Sequence, residues 1–224
     1  SRDHRRRIAK GNFMDLTLYA DASWQSPWVF HAMVALEELG LKYKLHTKKL
    51  PLSVDERHRL QEHALLGKVP CLSHGDFWVT ESSAISEYLA ETFAPPAYPR
   101  IMPADPKQRA RARQIMSWLR TSLHALREDR PTTSVFQRPV TKPISEKGRH
   151  DALELVRVAE QLIGPGQTTL FDTWCIADAD LALALMRLIA NSDTSMTQRL
   201  IEYGLAQWGR TSVRKYLAYI PTTP

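Results

Sequence analysis

The sequence changes its hydrophobic pattern once, at a proline-rich stretch near its middle, and this change limits the folds open to the chain. Before residue 94, short alternating segments typical of strands are interleaved with segments of helical period, whereas after residue 105 only the helical period remains. The stretch 94–99, Ala-Pro-Pro-Ala-Tyr-Pro, is typical of a linker. The sequence therefore predicts an α/β domain at 14–93, a linker at 94–105 and an all-α domain at 106–224.

The first half predicts seven elements in the order β-α-β-α-β-β-α. Serine is a favoured N-cap and proline a favoured first helical residue, so Ser26-Pro27 begins the first helix. Strands are expected at 15–20, 42–48, 70–73 and 77–80, and helices at 26–40, 53–64 and 82–93. Helices of the second half are expected at 106–127, 149–163, 176–190, 197–208 and 210–220, and the third of these is apolar nearly all round and therefore central.

The formal net charge of +6 is concentrated at the N-terminus. Residues 1–13 hold five basic and one acidic side chain, a net of +4, so the remainder carries only +2. We expect a disordered tail or a start-site artefact at 1–13, since Met14 would be a natural first residue, with a nucleic-acid or membrane arm as the alternative. No nucleic-acid partner is expected for the body. The tail lacks the apolar stretch of a secretory signal, and no apolar run is long enough for a transmembrane helix, so we expect a cytoplasmic protein without a membrane partner.

The only two cysteines are Cys71 and Cys175, which excludes a disulfide framework and a cysteine-rich zinc site. The eight histidines show no metal-ligand spacing, so no metal is expected. We expect Cys71, which follows a proline at the start of a strand, to pack as a small buried apolar side chain.

Three short motifs in the first half point to a function. They are Ser26-Pro27 after the first strand, Val69-Pro70 before the third strand, and Glu-Ser-Ser-Ala-Ile at 81–85, where the third helix begins. Together, at this spacing, they resemble the thioredoxin-like domain of glutathione S-transferases, and the second half resembles the helical C-terminal domain of that family. The stretch 82–89 and the arginine-rich helix are also similar to the bacterial YfcF-type branch, whose members act as glutathione transferases and peroxidases.

The resemblance implies that glutathione binds as a short extended peptide. A cis bond at 69–70 would leave the N–H and C=O of Val69 free to pair with the cysteinyl backbone of glutathione. The γ-glutamyl carboxylate would bind the Ser82 hydroxyl and the N–H groups of Ser82 and Ser83, at a helix N-terminus that favours anions; Ser83 is the weaker candidate of the two. Glu81 would bind the γ-glutamyl ammonium group. Lys68 is a candidate partner of the glycyl carboxylate. The structural alternatives are a proline that only starts an edge strand, a serine that only caps the helix at residue 82, and a solvated lysine.

Ser26 is the candidate catalytic residue. The glutathione thiol has a pKa near the cysteine value of about 8.5, and lowering it by about 2 units takes roughly 2.7 kcal/mol of thiolate stabilisation. The Ser26 hydroxyl would supply a charge-assisted hydrogen bond and the helix N-terminus its dipole. Ser23 is an alternative donor, Tyr19 fits the chain order less well, and a plain helix cap is the structural alternative. With serine at 23 and 26, dithiol exchange is excluded.

The site of the second substrate is expected between the domains, facing Ser26. Tryptophans are candidate walls, although each is also a candidate core residue: Trp24, Trp28, Trp118 and Trp208. Three arginines recur every seven residues on the helix expected at 106–127 and would share one face: Arg113, Arg120 and Arg127. That face would meet the carboxylates of glutathione, an acidic substrate or a partner subunit, or form an ion-paired surface.

Asp178 is expected to be structural, because it lies three residues into the buried helix, where an N3 carboxylate holds free N–H groups. Cys175 stands where the family usually has serine or threonine, which puts one half of this capping box in doubt. From these residues and the resemblance we predict a homodimeric glutathione S-transferase that conjugates its co-substrate glutathione to an organic electrophile or reduces an organic hydroperoxide. The alternative is a non-catalytic module that keeps the glutathione-binding fold and binds a partner or an apolar ligand.

Overall fold

A computed structural model of the chain describes residues 15–193 and 196–221. The expected tail at 1–13 lies outside these residues. In the first half the strands are β1 (Leu16–Asp21), β2 (Lys44–Lys48), β3 (Cys71–His74) and β4 (Phe77–Thr80), and the helices are α1 (Pro27–Glu38), α2 (Val54–Ala64) and α3 (Ser82–Thr92). The expected order β-α-β-α-β-β-α is confirmed.

The four strands form one mixed sheet in the order β2-β1-β3-β4. β1 runs parallel to β2 and antiparallel to β3, so Leu18 lies between Leu45 and Leu72. β3 also pairs antiparallel with β4. A mixed sheet of this order with helices packed on it is the thioredoxin-like domain that the sequence predicts.

The second half is helical. It contains α4 (Pro106–Thr121), α5 (His124–Asp129), α6 (Thr133–Phe136), α7 (Glu146–Leu162), α8 (Ile176–Ile189), α9 (Gln198–Trp208) and α10 (Thr211–Leu217). α8 is buried along nearly its whole length and contacts α1, α4, α6, α7 and α9, so the central position expected for it is confirmed. The short helix α6 had no counterpart among the expected elements.

The expectation of one helix over 106–127 is wrong, because the chain breaks after Thr121. Ser122 is extended and Leu123 adopts a left-handed conformation at φ 58° and ψ 37° before α5 begins. Threonine and serine are poor helix formers, so a break here costs little. The N-terminus of α5 is completed from α7, where the Asp151 carboxylate accepts a hydrogen bond from the N–H of Leu126 at 3.1 Å.

Asp178 holds the start of α8 in the buried interior. Its carboxylate accepts hydrogen bonds from the N–H of Leu170 at 2.8 Å, the N–H of Cys175 at 2.9 Å and the hydroxyl of Tyr203 at 2.8 Å. Burial raises the pKa of Asp178, and these donors oppose that rise. The carboxylate half of the capping box is therefore formed although cysteine stands at the N-cap, and the geometry agrees with the expected structural role.

The last helix ties the two halves together. The Arg210 guanidinium, just before α10, donates to both carboxylate oxygens of Glu38 at 2.8 and 2.7 Å, and the Ser212 hydroxyl donates to the same carboxylate at 2.5 Å. The hydroxyl of Tyr216 reaches the loop before α1 and donates to the carbonyl oxygen of Trp24 at 2.9 Å. These contacts fix both ends of α1 against the helical half, because Glu38 is its last residue and Trp24 lies in the loop before it.

Candidate functional site

A cleft of about 220 Å³ lies where the two halves meet. We call it the interdomain cleft, and it is lined by Trp28, Lys68, Val69, Pro70, Glu81, Ser82, Arg120 and Arg127. Four of the site residues expected from the sequence therefore line one cavity. Ser26 precedes this lining by two residues at the start of α1, and Ser83 follows it by one residue on α3. Neither of these two serines lines the cleft.

The Val69-Pro70 peptide bond is cis, as the resemblance implies. The paired registers of β3 begin at Cys71, so the peptide groups of Val69 lie outside the ladder of the sheet. Because β3 is paired on both sides, the alternative in which Pro70 starts an edge strand is wrong. Val69 therefore lines the cleft with peptide groups that the sheet does not use.

The N-terminus of α3 forms the next wall of the cleft. Glu81 is the N-cap in a left-handed conformation at φ 68°, so Ser82 is the first helical residue and does not cap the helix. The first bond within the helix runs from the N–H of Ile85 to the carbonyl of Glu81 at 2.9 Å, which leaves the N–H groups before it without helical partners. The Glu81 carboxylate lies 3.7 Å from the Lys68 ammonium group, and both side chains are exposed.

Arg120 reaches this helix start from α4. Its Nη2 donates to the Ser82 hydroxyl at 2.7 Å, and its Nη1 donates to the Asp180 carboxylate at 2.6 Å. A side chain of the helical half therefore touches the N-terminus of α3. The sequence placed Arg120 among three arginines of one face without distinguishing it from the other two.

Asp180 anchors Arg120 from the interior of α8. Its other carboxylate oxygen lies 2.7 Å from Nδ1 of His31 on α1, and Nε2 of His31 lies 2.9 Å from the Ser86 hydroxyl on α3. Burial raises the pKa of Asp180, but the charges and hydrogen bonds of His31 and Arg120 outweigh burial and leave this pKa lowered. None of the sequence motifs predicted this buried network, although the Asp180 carboxylate inside an otherwise apolar helix was a signal of it.

Ser26 is the N-cap of α1. Its Oγ accepts a hydrogen bond from the N–H of Val29 at 3.3 Å, which leaves the hydroxyl proton free to donate elsewhere. The hydroxyl of Ser23, by contrast, already donates to the Asp21 carboxylate at 2.8 Å. Tyr19 stacks on Trp78 at a ring-centroid distance of 4.9 Å and does not line the cleft.

The three arginines expected on one helix lie on two, because the chain breaks after Thr121 and places Arg127 on α5, whereas Arg113 and Arg120 stay on α4. Arg113 is exposed and donates to Glu87 at 2.7 Å, and it does not line the cleft. Arg120 and Arg127 flank the Trp28 ring, with their guanidinium carbons 4.7 and 5.5 Å from its centroid. The proposed common face is therefore wrong, and only these two guanidinium groups reach the cleft.

Of the four candidate tryptophan walls, Trp28 alone lines the interdomain cleft. Trp24 is buried and stacks on Tyr219 at 4.5 Å, and Trp208 stacks on Phe30 at 5.7 Å. Trp118 lines a separate groove between α4 and α7. Their positions agree with the core role that the sequence left open, because Trp24 belongs to the hydrophobic core and Trp118 and Trp208 pack against it.

Cys71 is fully buried, and burial raises the pKa of its thiol to about 12. This position agrees with the expected packing role. Within residues 15–193 and 196–221, no cluster of three or more metal-ligating side chains occurs. In the same part of the chain, no helix combines the length and apolar character needed to cross a bilayer.

Both halves of the chain match models of one family. The model of the glutathione S-transferase N-terminal domain matches residues 25–92, and that of the glutathione S-transferase C-terminal domain matches residues 105–221. The chain therefore belongs to the glutathione S-transferase family.

Individual relatives agree with this assignment. A glutathione transferase homologue from Burkholderia, crystallised with bound glutathione, is 33% identical, with a TM-score of 0.72 over 91% of this chain and 96% of its own. Among curated proteins, glutathione S-transferase U13 of Arabidopsis thaliana is 35% identical over 91 residues, and a probable glutathione S-transferase of Nicotiana tabacum is 28% identical over 159 residues. These matches span 41% and 69% of this chain but only 39% and 64% of the relatives themselves.

Proposed function

We propose that this chain is a glutathione transferase that binds glutathione in the interdomain cleft and attacks an organic electrophile with a thiolate stabilised by Ser26. One observation carries the proposal: the free peptide groups of Val69, the first residue of α3 and the first turn of α1 border the same cleft. An extended tripeptide that follows this cleft has its carboxylates near cationic groups and its sulfur near the N-terminus of α1.

Each end of glutathione has a chemical partner in the proposed complex. The cysteinyl backbone pairs with Val69, which adds a short strand to the sheet. The γ-glutamyl carboxylate accepts hydrogen bonds from the free N–H groups at Ser82 and Ser83, where the helix dipole favours an anion. Glu81 takes the ammonium group, and Lys68 takes the glycyl carboxylate.

The hydrogen bonds of the two serines favour Ser26 over Ser23 as the thiolate partner. The Oγ of Ser26 is an acceptor for a helix N–H, so its own proton is available to a sulfur. The Ser23 proton is already used by Asp21. Thiolate stabilisation of roughly 2.7 kcal/mol, shared between the Ser26 hydroxyl and the helix dipole, would lower the thiol pKa by about 2 units.

The proposed reaction forms a carbon–sulfur bond while the bond from carbon to the leaving group breaks with its electron pair. The thiol proton passes to water before attack. With a hydroperoxide, the thiolate would instead attack the terminal oxygen, break the O–O bond and release an alcohol, which leaves glutathione as its sulfenic acid. A second glutathione would then attack this sulfenic acid and give the disulfide and water. Conjugation is the activity we propose first, and hydroperoxide reduction is a second chemistry for the same thiolate.

A Ser26→Ala variant tests the proposal. We expect its turnover with chlorodinitrobenzene to fall at least about tenfold, because one hydrogen bond to a charge is lost. Glutathione binding, measured by calorimetry, should persist, and Ser23→Ala should keep most of the turnover. If the folded wild type binds glutathione but turns over neither aryl halides nor hydroperoxides, the non-catalytic module is correct. If it does not bind glutathione at millimolar concentration, the proposed site is wrong.

The homodimer, the cytoplasmic location and the domain borders at 93 and 106 stay predictions. Light scattering of the purified chain tests the first of them. A chain that scatters as a monomer at micromolar concentration would contradict it.

A further inference from the structure

A second cleft, of about 350 Å³, opens beside the N-terminal end of α1. It is lined by Pro27, His124, Arg127, Glu128, Pro131, Thr132 and Arg187, and the name "second cleft" refers to these residues. Pro27 follows Ser26 directly, and Arg127 also lines the interdomain cleft. The second cleft therefore shares a wall with the interdomain cleft and includes the residue that follows Ser26.

Arg187 is a buried cation in the wall of this cleft. Its side chain belongs to α8, the residue is 6% exposed, and its Nη1 donates to the carbonyl oxygen of Arg130 at 2.5 Å. Among residues 15–193 and 196–221, no carboxylate forms an ion pair with it. Burial lowers the pKa of Arg187 most, the charge of Arg127 lowers it further, and together they bring it to about 10.

Arg127 is a second cation without a carboxylate partner in the described part of the chain. It is half-buried, lies over Trp28 and donates to the carbonyl oxygen of Arg120 at 3.3 Å. Burial lowers its pKa as well. Two guanidinium groups thus line one cleft with only backbone oxygens and an aromatic ring as partners.

The nearby carboxylates do not neutralise this pair. Both carboxylate oxygens of Asp180 already bind other side chains, His31 and Arg120. Glu128 lines the second cleft and is exposed, and it forms no ion pair in the part of the chain that the structure describes, so it offsets only one of the two cations. The cleft therefore keeps an excess of positive charge on its inner wall.

We propose that the second substrate is a small organic electrophile that carries a carboxylate, and that Arg127 and Arg187 bind this carboxylate in the second cleft. The inference rests on the proposed function, because it places the electrophile beside the glutathione sulfur.

The chemistry of the cleft favours this class of ligand. A buried cation without a counter-ion is costly, and an arriving anion removes that cost. Guanidinium groups match a planar carboxylate with two parallel hydrogen bonds. Leu119, Leu126 and Leu183, which with Arg127 and Arg187 line an adjoining small cavity, offer an apolar surface to the rest of the electrophile.

Binding without reaction tests the proposal independently of turnover. Protein saturated with glutathione is titrated in a calorimeter with nitrobenzoate and with its neutral amide, nitrobenzamide. We expect nitrobenzoate to bind at least about tenfold more tightly. Equal affinities would overturn the proposal. Nitrobenzoate that competes with glutathione would overturn it too, because the anion would then lie in the interdomain cleft.

Variants then assign the site. We expect Arg127→Gln and Arg187→Gln each to weaken nitrobenzoate binding about tenfold and to leave nitrobenzamide binding unchanged. Arg111→Gln is the matched control, because Arg111 is exposed, donates only to Gln114 at 2.5 Å and lines neither cleft. An equal loss in the control would overturn the proposal. If Arg187→Gln does not fold, the affinity of Arg127→Gln for nitrobenzoate decides whether the proposal holds, because Arg127 is only half-buried.

Turnover separates this inference from the proposed function. The reactive pair is chloronitrobenzoate and its neutral amide, each rate being divided by the uncatalysed rate. Conjugation of both compounds with equal kcat/KM would leave the transferase proposal standing and overturn the carboxylate preference. Absence of conjugation, together with tight binding of nitrobenzoate lost in Arg127→Gln, would contradict the transferase and support an anion site.

Discussion

The guanidinium of Arg120 donates a 2.7 Å hydrogen bond to the hydroxyl of Ser82, and this bond joins α4 of the helical half to the first residue of α3. Asp180 holds the same guanidinium from the other side at 2.6 Å. The N-terminal end of α3, where we propose that a carboxylate of glutathione binds, thus receives a charge that comes from the other half of the molecule. Sequence motifs of the first half alone therefore describe only part of the candidate site.

Replacing Arg120 with lysine should weaken glutathione binding more than it slows chemistry. A single ammonium group does not span Ser82 and Asp180 with the two-pronged geometry of a guanidinium. We expect the KM for glutathione to rise about tenfold while kcat changes little. Steady-state kinetics with varied glutathione measure both. Arg113→Lys is the control, because Arg113 pairs with Glu87 outside the cleft, and an equal rise in its KM would contradict this role for Arg120.

Asp178→Asn should destabilise the fold without altering catalysis by the folded protein. The Asp178 carboxylate accepts hydrogen bonds from three buried donors. An asparagine amide has one oxygen, so its NH2 group would face at least one of these donors and could not accept from it. We expect a loss of about 2 kcal/mol in the free energy of unfolding, measured in urea. Specific activity per folded molecule should remain within about twofold of wild type. A large fall in kcat with unchanged stability would instead make Asp178 catalytic.

Glu87 should stabilise the protein at neutral pH and lose this effect in acid. Partial burial raises the pKa of Glu87, but hydrogen bonds and charge from Arg113 and Arg109 outweigh it and leave the pKa below the ordinary value of 4.5. A carboxylate with a lowered folded-state pKa stabilises the fold above the unfolded-state value, and that stabilisation disappears as the pH falls through the folded-state value.

The measurement is the unfolding free energy of wild type and Glu87→Gln across the pH range. We expect a difference of about 1 kcal/mol near neutral pH, shrinking as the pH falls below 4.5. Glu62→Gln, at an exposed position on α2, is the control. A difference that stays constant or grows in acid would show that the ion pairs of Glu87 do not cause it.

Cys71 should not react with aromatic disulfide reagents in the native protein at about pH 8. Its pKa is raised to about 12 and its side chain is fully buried, so both thiolate and access are lacking. The absorbance of the aromatic thiolate that the reagent releases should show no fast labelling until guanidinium chloride unfolds the chain. Ser26→Cys is the positive control, since a thiol at the N-cap of α1 is accessible and close to the helix dipole. Cys175 is buried as well, so fast native labelling of wild type would contradict the burial of at least one of the two thiols.

The order of strands and helices in the first half could be predicted because each element has its own period and its own end signal. Ser26-Pro27 at the start of α1 and the buried α8 are examples in which local sequence and tertiary position agree. The break at Leu123 could not be predicted, because the apolar pattern of the sequence continues through the turn. Asp151, which completes the N-terminus of α5, lies on a different helix.

The candidate site was predictable where its residues are close in sequence and not where packing brings distant residues together. Lys68, Val69, Glu81 and Ser82 belong to two short motifs, and all four line the interdomain cleft. Arg120 and Arg187 reach their clefts from two helices of the second half, at positions that depend on how α4, α5 and α8 pack. Helical spacing alone cannot supply that packing.

The hydroxyl of Tyr216 also donates to the carbonyl oxygen of Ser26 at 3.3 Å, in addition to its bond with Trp24. The loop that presents Ser26 is thus held by a residue about 190 positions later in the chain. During synthesis, the thioredoxin-like half leaves the ribosome long before α10 exists. A nascent chain released before residue 216 would carry every candidate glutathione-binding motif and still lack the Tyr216 hydrogen bonds that hold the loop of Ser26.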